Sequence, residues 1–146
     1  MNVWAFLMLV SGGLFAGGVT ALAWDRVSAW RSMPLDEFRT DFAGVVQRAD
    51  RVQPVLLVVA ILASFAFGLT DAGAPRILAL IGASGFLVTL IGSVAVLVPL
   101  QRRMISSSSL EAGALERMRH GWFRGHFKRT VVGVASFLLV AAATAV

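Results

Sequence analysis

Val3 to Trp24 is 22 residues without a charged side chain, and a helix needs about 20 apolar residues to cross the hydrocarbon core of a bilayer. Three further uncharged stretches follow: Val55 to Thr70, opened by Pro54 at a position suited to a first helical turn; Ile77 to Gln101, after the turn Asp71-Ala72-Gly73-Ala74-Pro75; and Thr130 to Val146, 17 residues whose helix is expected to begin earlier. The second and third make a tight hairpin. The chain is therefore expected to be all-α, an integral membrane four-helix bundle in a single domain over 1–146, with spans at about 3–24, 54–70, 76–101 and 126–146. The Met1 end lacks the Lys/Arg region of a signal peptide, although Ala21-Leu22-Ala23 resembles a cleavage site, so the first segment is expected to be retained as a span.

Composition agrees: 58% of the residues are hydrophobic and 14% charged, against about 25% charged in soluble domains, which excludes an ordinary soluble enzyme. With no cysteine, a disulfide framework, a zinc-thiolate or iron–sulfur site and a dithiol relay are excluded as well. Thirteen basic residues face eight acidic ones, and Lys128 is the single lysine. The basic residues adjoin the apolar runs, as groups facing anionic lipid headgroups do, rather than interleaving with aromatics as a nucleic-acid surface would. Residues 25–53 carry five of them (Arg26, Arg31, Arg39, Arg48 and Arg51), residues 71–76 only Arg76, and residues 101–129 seven. The larger number of Lys and Arg residues in loops one and three predicts that both are cytoplasmic and both termini outside, in a bacterial-type inner or plasma membrane; the five acids that bring loop one to zero net charge contribute little to this rule.

The first loop is patterned. Leu35, Phe38, Phe42, Val45, Val46, Ala49 and Val52 recur at steps of three and four, one stripe of a helix. Pro34 opens it, and Asp36 and Glu37 fall in the first turn, where the helix dipole favours negative charge. This predicts an amphipathic interfacial helix over 34–52, its apolar side toward lipid or bundle; a lid over a pocket is the functional alternative. In the third loop Ser108 and Glu111 have the spacing of a capping box, so a helix is expected to start there and continue into the fourth span.

No ionisable residue lies in the interior of a span, which weighs against an ion- or proton-coupled transporter. No phosphate-binding glycine loop is present, and His120 and His126, whose spacing of six does not put them on one helical face and which have no carboxylates nearby except Glu111 and Glu116, make a poor metal site, so no metal is expected. Chemistry has to sit at the membrane boundary. Trp122, His126, Arg129 and Gly133, spaced 4, 3 and 4, form one helical stripe entering the membrane. Histidine can act as a general base near neutral pH, and an adjacent arginine can hold an oxyanion without losing its own proton; Trp and Arg at a boundary are also ordinary anchors. At the end of the third span Pro99 is expected to kink or stop the helix, with Gln101 pointing its amide into the bundle near His126 while Arg102 and Arg103 face headgroups. Gly13 and Gly17 have the spacing that permits close helix approach in a membrane, and they leave room for a flat ligand.

Taken in order, the glycine-rich first span (Gly12 to Gly18), Met33-Pro34 leading to Val46-Gln47-Arg48-Ala49, the third span ending Val98-Pro99-Leu100-Gln101, and Trp122 with His126 and Arg129 ahead of the fourth resemble the anthrone oxygenase-like family. These small four-helix membrane proteins were long classed as a domain of unknown function. The family usually reads Asn-x-Pro-x-Asn at the end of the third span, where this chain has Leu97 and Gln101. The resemblance implies oxidation of a flat apolar anthrone to the quinone by dioxygen, with no metal or organic cofactor. It would assign His126 as base, Arg129 and Gln101 as oxyanion or hydroxyl partners, and Trp122, with Gly13 and Gly17, as surfaces for the substrate. The alternative expectation is a non-enzymatic accessory or oligomeric membrane protein, its arginines on anionic lipid and its glycine face on a second copy or another membrane protein. A cavity opening near His126 favours the first; a packed bundle with an exposed Gly13/Gly17 groove favours the second.

Overall fold

The computed structural model describes residues 2–106 and 111–146. Among them are four helices and no strand: α1 Val3–Ser32, α2 Leu35–Thr70, α3 Gly73–Ser106 and α4 Ala112–Ala143. All four are long and apolar enough to cross a membrane. Each packs on the next and α4 closes against α1, so the helices form an all-α ring of four. α1 starts where the Asn2 side chain accepts the Trp4 and Ala5 N–H groups, at 2.7 and 3.2 Å, which pairs two of the donors that a helix start leaves open. The α2–α3 hairpin turns within Asp71 and Ala72, and Gly73 takes a left-handed φ of 63°, a conformation that costs glycine little.

The bundle is apolar outside as well as in. Phe6, Leu14, Leu62, Ile81, Val88 and Leu138 are exposed, far more apolar surface than a soluble monomer shows. Two of the buried hydroxyls are absorbed within their own helices, Thr89 donating to the Gly85 carbonyl at 2.9 Å and Ser136 to that of Val132 at 2.8 Å, whereas that of Ser64, also buried, has no partner. The two bonds leave neither donor facing hydrocarbon.

The helix expected over 34–52 is present but is not a separate interfacial element. It continues without a break into the second span as the 36-residue α2, with Pro54 inside rather than at a helix start. Proline removes the N–H that would pair with the Asp50 carbonyl, yet Phe42 and Val46 before it and Leu57 and Ala60 after it are all buried. Packing on both sides outweighs the lost bond. The apolar stripe accordingly faces the bundle: Phe38, Phe42 and Val46 are buried. Pro99 likewise fails to end its helix, and α3 runs on to Ser106 through a wide π turn at Ser93–Leu97. That turn contains Ala95, whose carbonyl the Pro99 ring would meet in a regular helix. α1 passes beyond Trp24 through a matching π turn at Leu22–Arg26. α4 begins at Ala112 after Glu111; Ser108 of the expected capping box lies outside the described residues.

Two cores result. Phe15, Phe86, Leu57 and Val140 belong to the membrane core, and an aromatic head at the basic end gathers Trp30, Phe38, Phe42, Trp122 and Phe123. The tightest seam joins α3 to α4, where a Cβ on Gly82 would lie 2.6 Å from Val140 Cγ1 and 2.9 Å from the Ser136 carbonyl oxygen. Gly17, by contrast, has nothing within 4 Å of such an atom. Close approach was expected at Gly13 and Gly17; Gly13 meets the Phe137 ring, 3.3 Å from where its Cβ would be, Gly17 meets nothing, and the approach to a neighbouring backbone occurs at Gly82. Gly82→Leu should lower stability in detergent by about 2 kcal/mol, because a backbone oxygen cannot move aside, while Gly17→Leu should melt like the unaltered protein. Equal melting of the two variants would contradict this account of the seam.

Candidate functional site

At the level where the membrane core meets the aromatic head, α2, α3 and α4 exchange polar contacts. Asp50 and Gln53 stand three residues apart on α2 and so share a face. Gln101 of α3, buried, donates from Nε2 to Asp50 Oδ2 at 2.5 Å. Arg129 of α4 donates from Nη2 to Gln53 Oε1 at 2.7 Å, and its guanidinium carbon lies 5.4 Å from the centre of the Phe15 ring. Gly133, one turn on, leaves the space Phe15 occupies: a Cβ there would come within 2.9 Å of that ring.

His126 lies on the same stripe, fully buried. Its ring stacks on Trp122 at 4.9 Å with 4° between the planes, and Nε2 is 3.2 Å from the Val19 carbonyl oxygen of α1. A carbonyl only accepts, so Nε2 carries the proton and the lone pair of the neutral ring sits on Nδ1. Nδ1 has no partner, and neither do Trp122 Nε1 and Arg129 Nε, all three buried.

The six residues singled out in the sequence therefore divide into groups. Trp122 and His126 pack together, and Arg129 and Gln101 join the α2 pair, Gln101 through Asp50. Arg129 also reaches a cavity of about 440 Å³ between α3 and α4, whose wall includes Thr89, Gly92, Leu97 and Gly125. His126, Trp122 and Gln101 are not in that wall. Gly13 and Gly17 line a different hollow, of about 720 Å³, on the α1–α4 side. Among the described residues, no three histidines or carboxylates gather where a metal ion could be held.

Asp50 and Gln53 were not anticipated as site residues. Their signal is nonetheless in the chain, since Phe42, Val46, Asp50, Gln53, Leu57 and Ala60 follow one stripe at steps of four and three, which places two polar residues where the stripe is otherwise apolar. Arg119 was also missed. It is buried in the head, donates to the Trp30 and Met33 carbonyls at 3.1 and 2.8 Å and to Glu116 Oε1 at 2.7 Å, and stands 5.3 Å from the Phe38 ring centre. The Arg119 guanidinium holds the Glu116 carboxyl, ahead of the expected membrane segment, below the usual carboxylate range.

The fold and the polar layer define the class as a four-helix bundle with helices able to cross a membrane. No family model, curated protein or solved structure matches the chain.

Proposed function

We propose that this protein binds a flat, apolar, acidic molecule in the α3–α4 cavity and oxidises it with dioxygen, in the manner of the anthrone oxygenase-like proteins its sequence resembles. The observation that carries the reading is Arg129: one guanidinium nitrogen is fixed on Gln53 while the residue forms part of the wall of a cavity that also holds Arg124 and Lys128 beside apolar residues such as Val88, Val96 and Leu97. A cation held in that way stabilises an enolate oxygen better than water does, because it need not reorganise as the charge develops. The cavity's Gly92, with nothing within 4 Å of the position a Cβ would take, keeps its α3 wall low, which suits a flat ring system.

The chemistry asks little of the protein. A base removes a proton from the acidic methylene, and the anthrolate gives an electron to dioxygen. A C–O bond then forms, and the hydroperoxide loses water as the second methylene proton leaves. One oxygen atom ends in the new carbonyl and the other in water. His126 is the proposed base, through the unpartnered Nδ1; because the ring stands behind the cavity wall, substrate has to displace packing to reach it. The basic loops are placed on the cytoplasmic side, following their charge.

The accessory reading also has an observation in its favour, the complete burial of His126 together with the open groove at Gly17. Quinone formation and dioxygen uptake by detergent-purified protein given a simple anthrone separate the two. Turnover above autoxidation that falls at least 100-fold in His126→Gln, a loss typical for removing a general base, is expected. Turnover equal to autoxidation in the unaltered protein would leave the accessory reading in place.

A further inference from the structure

We propose that the furrow between α1 and α4, which shares Arg124 and Lys128 with the α3–α4 cavity at its charged end, binds one acidic glycerophospholipid. Its phosphate would lie among Arg31, Arg124 and Lys128, and an acyl chain would run past Trp24 and Thr20 toward Gly17.

Three hollows join end to end along this face. The first is lined by Arg31, His120, Arg124, Phe127 and Lys128. The second shares Arg31 and Phe127 with it and extends through Val27 and Trp24 to Thr20. The third shares Trp24 and Thr20 and continues over Gly17 to Gly13, against Phe137 and Leu138. From Arg31 to Gly13 is 18 residues of helix, about 27 Å at 1.5 Å per residue, against about 20 Å for one leaflet with its headgroups. The furrow is long enough for a lipid lying in its own leaflet.

The cations are confined to one end. Arg31, Arg124 and Lys128 are exposed and form none of the ion pairs among the described residues. The neighbouring acids are occupied: Glu116 holds Arg119 and His120, and Asp25, which lines the third hollow, lies 3.3 Å from Arg26. Below the cations the lining turns apolar, with Trp24 85% and Phe127 65% exposed at the depth where aromatic side chains meet headgroups. The floor at Gly17 is open, with nothing within 4 Å of the position a Cβ would take. An amphiphile with one anionic end matches this pattern. A parallel second copy does not, because it would set its own Arg31, Arg124 and Lys128 against these.

Native mass spectrometry and thermal melting of the full chain in neutral detergent, with added phosphatidylglycerol, phosphatidylcholine or inorganic phosphate, test the proposal. Phosphatidylglycerol should be retained one to one and raise the melting temperature, while the other two should do neither. Arg31→Gln, which leaves the α3–α4 cavity untouched, should reduce retention at least tenfold, and Arg76→Gln at the opposite end of the bundle should not. Gly17→Leu should reduce retention with all three cations in place. Equal retention of phosphatidylcholine, stabilisation by phosphate alone, or Arg31→Gln behaving as the unaltered protein would each overturn it. So would a dimer that Gly17→Leu dissociates, since that would assign the furrow to a second copy.

Discussion

Arg119→Leu is expected to cost about 4 kcal/mol of stability, the loss typical when one partner of a buried charged contact is removed. The side chain is 7% exposed, and its donors serve three acceptors at once: the Trp30 and Met33 carbonyls and Glu116. Trp30 lies in the last turn of α1, where carbonyls have no partner within the helix and a cation is favoured by the dipole. Leucine supplies volume but leaves those oxygens facing the Phe38 and Trp30 rings. Lysine keeps the charge without the planar fork, so Arg119→Lys should fall between. Thermal unfolding in detergent, followed by tryptophan fluorescence, reads the head directly through Trp30 and Trp122; co-melting of Arg119→Leu with the unaltered protein would refute the role. Acid should act in the same direction. The Glu116 carboxyl is held below its usual value of 4.5 by Arg119, so its contribution is present above that value and is lost as pH falls through the lowered one.

The second large effect belongs to the proposed reaction. Arg129→Gln should reduce kcat/KM for anthrone oxidation by about 100-fold, the loss seen when one oxyanion donor is removed, while the melting temperature changes little. The glutamine amide can still donate to Gln53, so the α2–α4 contact has a neutral substitute; what disappears is the one cation of the cavity wall that is held on Gln53, while Arg124 and Lys128 remain. Arg129→Lys restores charge at a single point and should recover part of the rate. Rates that fall only in proportion to folded protein would remove Arg129 from the chemistry.

The long uncharged runs made the four helices legible, because a bilayer leaves a chain few ways to pair its backbone. The stripe Trp122, His126, Arg129 was legible too, since residues on one helix need only periodicity to be placed together. What crosses between helices was not. Asp50 was assigned to the end of an interfacial helix and Gln53 fell between that helix and the second span, and nothing local announces that α2 continues through Pro54; its survival depends on Leu57 and Ala60 packing against other helices. Gly13 and Gly17 carried the familiar spacing, yet Gly82 makes the close approach to a neighbouring backbone, since only the opposing residue decides whether a glycine is crowded. Arg119 looked like one more loop cation until the end of α1 met it.

The two π turns set the phase of the molecule. In α1 buried Val19 is followed by buried Val27, and in α3 buried Thr89 by buried Leu97; each step is eight residues, where two regular turns take about seven. No residue of Leu22–Arg26 is buried. One residue more rotates everything beyond it by about 100°, so in α1 and α3 the membrane half and the head do not inherit one another's inward face, while α2 and α4 run through both halves without such a turn. In α1 and α3 each half is geared separately, and the polar layer of Asp50, Gln53, Gln101 and Arg129 sits at the junction, where a regular helix would have allowed only one continuous seam.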